Sequence, residues 1–142
     1  KVVFLLDVSG SMDTYSYYLL RYVMVLKKYF KSLEFFTFST QLTHVTPMLR
    51  ANNEQQVLNQ IGKKVHSWSS GTKVGNVTVL QNAVRAIRRK CKTLVWLNPL
   101  KGMEGYQPIQ KGMVNVMPHL DAFESAHNLD SLLKLEKLLM DV

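Results

Sequence analysis

Residues 2–12 read Val-Val-Phe-Leu-Leu-Asp-Val-Ser-Gly-Ser-Met. The apolar run over 2–6 has no polar alternation. That is the pattern of a strand covered on both faces, as in a parallel α/β sheet. Ligands of such sheets bind outside the carboxyl ends of the strands, where Asp7, Ser9 and Ser11 stand two apart. Gly10 allows the sharp turn out of the sheet. One carboxylate and two hydroxyls form a hard oxygen set suited to a cation such as Mg²⁺. Serines also cap helices and make turns, so the spacing alone leaves both readings open. So little protein charge predicts weak binding, with positions left for water or a partner's carboxylate. The positive end of the following helix weakens it further. Thr72, beside Gly71 in the polar stretch over 67–76, offers one more hydroxyl.

Outward from this stretch, helical spacing of Leu19, Tyr22, Val23, Leu26 and Phe30 predicts a helix from about 13 to 31. A second strand is expected over 35–38. The tight link through 39–41 into 42–48 predicts a hairpin, hence one antiparallel member. Asn52 or Asn53 can cap a helix that turns Val57, Leu58, Ile61 and Val65 inward. Helical spacing returns over 79–91 through Leu80, Ala83, Val84 and Ile87. A buried strand follows over 94–97, stopped by Asn98-Pro99. A short helix over 107–117, an edge strand over 120–123 and a final helix over 129–140, capped by Asn128 or Asp130, complete the chain. The alternation predicts an α/β fold with an open, mostly parallel sheet and helices on both faces.

The chain has 142 residues, enough for one domain with a substantial core. No apolar run approaches the ~20 residues of a bilayer span. Lys1 leads straight into the first strand, without a secretory signal or an initiator Met, so a fragment or processed chain is expected. Cys91 is the single cysteine, which excludes an internal disulfide and fits a reducing, cytoplasmic compartment. The expected role of Cys91 is a small packing residue on a helix. The net charge is +8, with clusters at Lys27-Lys28-Lys31, Lys63-Lys64 and Arg85-Arg88-Arg89-Lys90-Lys92. Solvated helix faces account for such clusters; an acidic protein partner or nucleic acid are the sharper readings. No nucleic-acid module and no basic tail is present, so an acidic partner is favoured. His119 and His127 lack metal-ligand spacing with Cys91. Trp68 and Trp96 read as packing residues, and Asp121 and Asp130 as a turn and a cap. Tyr17 and Tyr18 cannot both face inward on one helix.

Val-Phe-Leu-Leu-Asp-Val-Ser-Gly-Ser-Met resembles the first motif of von Willebrand factor A domains, and Ser-Gly-Thr at 70–72 resembles their second. Leu-Val-Trp-Leu-Asn-Pro-Leu (94–100), Gly-Tyr-Gln-Pro-Ile (105–109), Met-Pro-His-Leu-Asp-Ala-Phe (117–123) and His-Asn-Leu-Asp-Ser-Leu (127–132) resemble the CoxE-like branch in particular. That branch comprises bacterial partners of MoxR-type AAA+ ATPases. The resemblance implies a metal-ion-dependent adhesion site binding Mg²⁺ or Mn²⁺ through Asp7, Ser9, Ser11 and Thr72, completed by a partner's carboxylate. It further implies a MoxR-type ATPase and a client protein, such as a maturing metalloenzyme, as partners. In one place the chain departs from the family pattern. Val74-Gly75-Asn76 runs almost at once into Val77-Thr78-Val79-Leu80, where the family has a further helix and strand. That strand would lie beside strand one and carry the third, acidic metal motif. A single domain over 1–142 is therefore expected to lack one central strand near 76–78. Either an unrecorded stretch or a shortened variant explains this, and a gap in the sheet could close only by re-pairing.

These readings favour a non-catalytic binding module. A phosphohydrolase with Asp7 as nucleophile is the enzymatic alternative. Such enzymes place a second Asp two residues on as general acid, and Ser9 has no usable proton near neutral pH. A basic nucleic-acid-binding domain is the third reading.

Overall fold

A computed structural model describes residues 1–8, 13–30, 32–38, 42–50, 53–64, 77–108 and 111–140, without the side chains of 13–17, 29, 58, 62, 64 and 129. In chain order the elements are β1 (Val2–Asp7), α1 (Asp13–Tyr29), β2 (Leu33–Phe38), β3 (Leu42–His44), α2 (Glu54–Lys64), α3 (Val77–Arg88), β4 (Thr93–Asn98), α4 (Lys111–Val116), β5 (Ala122–Ser125) and α5 (Leu129–Met140). The five strands form one sheet in the order β3-β2-β1-β4-β5. All neighbours are parallel except β2 and β3. The α/β architecture with one antiparallel edge pair is the one expected from the chain's pattern.

β1 is central because all six of its residues are buried. Alternate side chains of a strand face opposite sides. Val2, Phe4 and Leu6 pack with Leu20 and Val23 of α1, Ile61 of α2 and Leu135 of α5. Val3 and Leu5 join Leu80 and Val84 of α3, Met113 of α4, and Trp96. Phe4 stacks on Phe35 at 5.4 Å, and Phe38 meets Trp96 edge-on at 5.4 Å. A fully buried phenylalanine such as Phe4 contributes about 3–5 kcal/mol against alanine.

The sheet has no gap beside β1. The register Val2↔Thr93 through Leu6↔Leu97 brings β4 directly against it. The seat beside β1, where a further strand was expected from the family pattern, is taken by β4. Parallel neighbours share polarity and spacing, so one buried apolar strand can take the seat of another.

Several boundaries differ from expectation. β3 ends at His44, not at 48. Pro47 has no N–H to offer a ladder, and the buried Thr46 hydroxyl instead accepts the Phe35 N–H at 2.7 Å. α4 is confined to Lys111–Val116, between Pro108 and a 3₁₀ turn, Met117–His119, that contains Pro118. β5 starts at Ala122 and not at 120, because the Leu120 N–H turns back to the Met117 carbonyl. α3 begins two residues earlier than expected, at Val77, and closes at Arg88. Two caps are confirmed: Asn53 accepts the Gln55 N–H at 2.9 Å, and Asn128 accepts the Ser131 N–H at 2.9 Å.

Candidate functional site

Two buried polar residues, Asp7 and Asn98, stand at the carboxyl ends of β1 and β4. β1 closes with Asp7, which is 5% exposed. Val8 is still buried, and its N–H donates to the Phe38 carbonyl at 2.9 Å. The pairing of Leu6 with Leu97 carries Asn98 to the flank of Asp7. Asn98 is itself buried, and its amide is used in full. Oδ1 accepts the Leu100 N–H at 2.8 Å, capping the 3₁₀ turn Pro99–Gly102. Nδ2 donates to Asp7 Oδ2 at 3.4 Å and to the Tyr106 hydroxyl at 3.0 Å.

Tyr106 reaches this place through a turn that requires glycine. Gly105 has φ 76°, a left-handed conformation that L side chains avoid. Burial pushes the Tyr106 phenol up, the Asp7 charge adds to the rise, and the Asn98 amide opposes it. The phenol therefore stays protonated, a neutral partner for Asn98 beside a buried acid.

Of the four expected metal ligands, the structure places Asp7 at the carboxyl end of the central strand. Ser9, Ser11 and Thr72 lie outside the described residues, as do Gly10 and Trp68. Among the described residues, no group of three or more His, Cys, Asp and Glu is placed to hold a metal. One carboxylate and three hydroxyls, by their donor chemistry, are a set of the kind that a hard cation takes. Asn98 turns its N–H towards Asp7, so it orients the carboxylate without offering a ligand atom.

Asn98 and Tyr106 are the residues that sequence reading missed here. Asn98 was legible only as a strand stop and Tyr106 only as part of a family-like stretch. The available signal was the departure from the family pattern before α3, which left open which strand stands beside Asp7.

Other candidates have packing roles. Asp121 accepts the Leu94 N–H at 2.8 Å and pairs with Arg88 at 2.9 Å. His119 meets the Arg85 guanidinium at 3.2 Å, and His127 Nδ1 lies 2.6 Å from the Ser125 hydroxyl. Burial pushes the half-buried Cys91 thiol up, outweighing the opposing Arg88 charge, which makes it a poor nucleophile. Tyr18 is 63% exposed. The Tyr22 phenol donates to the Leu132 carbonyl at 2.6 Å, and burial, with Glu136, raises it to about 12. Among the described residues no helix is long and apolar enough to cross a membrane.

The sequence profile described as "VWA domain containing CoxE-like protein" matches residues 1–78 and 73–132. No curated protein matches the chain.

Proposed function

The chain belongs to the CoxE-like family of VWA-domain proteins, and on that premise we propose that it is a non-catalytic binding module whose β1 edge uses a divalent cation to capture an acidic side chain of a partner. The observation that carries this reading is the placement of Asp7, a nearly buried carboxylate at the carboxyl end of the central strand. Asp7, with Ser9, Ser11 and Thr72, would hold Mg²⁺ or Mn²⁺. The cation would supply an open coordination position for the partner's carboxylate. The partner set is a MoxR-type AAA+ ATPase and a client protein under assembly or metalloenzyme maturation.

The family match falls in two segments, 1–78 and 73–132, that overlap at 73–78; a βα unit with the third acidic motif left out at that place, as the sequence pattern suggests, would make this a low-charge site of reduced affinity. For a dissociation constant of about 1 mM, about 10 mM Mg²⁺ stabilises the fold by ~1.4 kcal/mol, a rise of roughly 3–6 °C in melting temperature. Asp7→Ala should abolish that rise and weaken capture of the ATPase. Melting curves blind to Mg²⁺ and Mn²⁺, together with normal partner binding by Asp7→Ala, would sink the reading.

A further inference from the structure

At the opposite end of the sheet, where β1 and β2 begin, lies a half-open slot of about 130 Å³. Its floor is apolar, made by Val3, Phe36 and Ile87. It exists because the cover on this face is uneven. α3 and α4 lie over Leu5, Leu94 and Trp96, and Phe38, near the carboxyl end of β2, is 5% exposed. Phe36, two residues back on the same strand face, is only half-buried.

The walls are held in place. The His44 ring stacks on Phe36 with centroids 4.6 Å apart, and His44 Nε2 lies 2.7 Å from Glu34 Oε2. Lys1 Nζ stands 3.8 Å from the other Glu34 oxygen. The one acid of the slot is thus already engaged by basic groups. Lys90 also lines the slot. Lys92 follows closely, since its backbone N–H donates to the Lys1 carbonyl at 2.8 Å.

Size and charge together select the occupant. Pockets for drug-sized ligands and cofactors run to about 300–1,000 Å³, so this slot accepts one side chain and not a cofactor. An apolar floor bordered by Lys1 and Lys90 complements an apolar side chain flanked by carboxylates. The chain's net charge of +8 would draw such a segment in. We propose that this slot docks an acidic segment of a partner protein, which inserts one leucine- or phenylalanine-sized side chain over Val3, Phe36 and Ile87 and sets its carboxylates on Lys1 and Lys90. Four residues of strand, about 13 Å, separate Val3 from Asp7, so this contact requires no cation and is distinct from the one at the carboxyl edge.

The test uses the full chain and the peptide acetyl-Asp-Glu-Phe-Glu-Asp-amide, followed by methyl NMR and by fluorescence anisotropy of a labelled copy. The expected result is saturable binding that shifts the Val3 and Ile87 methyls. It should weaken about tenfold with Lys90→Glu, a change at an exposed position that leaves the fold intact, and should be lost when the peptide's Phe is replaced by Ser. Ile87→Trp, its fold checked by thermal melting, should fill the slot and abolish binding. Chelator and Asp7→Ala should leave the affinity unchanged, which separates this result from any failure at the cation site. Equal binding of the Ser peptide would reduce the contact to bulk charge and overturn the proposal. Undisturbed Val3 and Ile87 methyls would do the same, as would displacement of the peptide by an unrelated DNA oligonucleotide of similar charge.

Discussion

The two ends of the β1–β2 pair handle an acidic residue in opposite ways. At the carboxyl end, Asp7 is nearly buried and takes the neutral amide of Asn98, which is itself buried. At the amino end, Glu34 sits half-exposed among Lys1 and His44. A buried polar group depends on geometry, because every missing hydrogen bond leaves a desolvated atom behind. An exposed ion pair depends on screened charge, and its loss is mostly made good by water. The same carboxylate chemistry is therefore rigid at one end of the pair and adjustable at the other.

Asn98→Leu should separate the two ends most sharply. It removes the donor to Asp7, the acceptor for the Leu100 N–H and the partner of Tyr106, at a position that is 2% exposed. The expected loss is about 2–4 kcal/mol in urea unfolding, and a loss under ~1 kcal/mol would show that the cluster is wetter than its burial indicates. Asp121→Ala is the intermediate case. It strands the Leu94 N–H at the start of β4 and leaves Arg88 without its ion pair, at a cost of about 1–2 kcal/mol by the same measurement. Glu34→Gln should matter least, by roughly 0.5 kcal/mol, and only in part of the pH range. Burial pushes the Glu34 carboxyl up, but hydrogen bonds from His44 and Thr46 and the Lys1 charge outweigh it, leaving it below its ordinary 4.5. A carboxylate lowered by folding adds stability above its unfolded value and loses it as pH falls through the folded one. Wild type and Glu34→Gln should thus differ at pH 7 and converge below pH 4.5; a constant difference down to pH 3 would assign the effect to packing instead.

The legible parts of the fold were those that local patterns determine. The apolar run ending at Asp7 marked the central strand, and the spacing of Leu80, Val84 and Ile87 marked α3. Asn53 and Asn128 announced their helices by the preference of short polar side chains for exposed N–H groups. What stayed hidden depends on contacts distant in sequence. The end of β3 turns on Thr46 bonding across to Phe35. The neighbours of Asp7 turn on which strand fills the seat beside β1. Asn98 and Tyr106 carry no motif that connects them to residue 7, and only the pairing of Leu6 with Leu97 does so. The slot at the amino end was equally invisible, because uneven helix cover has no signature in a strand's own residues.

That pairing also has a kinetic side. β1 and β2 are joined by a single helix, so the first parallel ladder closes a short loop. The second ladder spans far more chain, with Asp7 and Asn98 91 residues apart. Closing the longer loop adds only modestly to the equilibrium cost, but contacts of such separation slow the search for the native state. The half of the sheet built on β1 and β2 can assemble early, while β4 must be delivered to a seat already framed on one side. Trp96, buried in the arriving strand, is a fluorescent reporter of that late step.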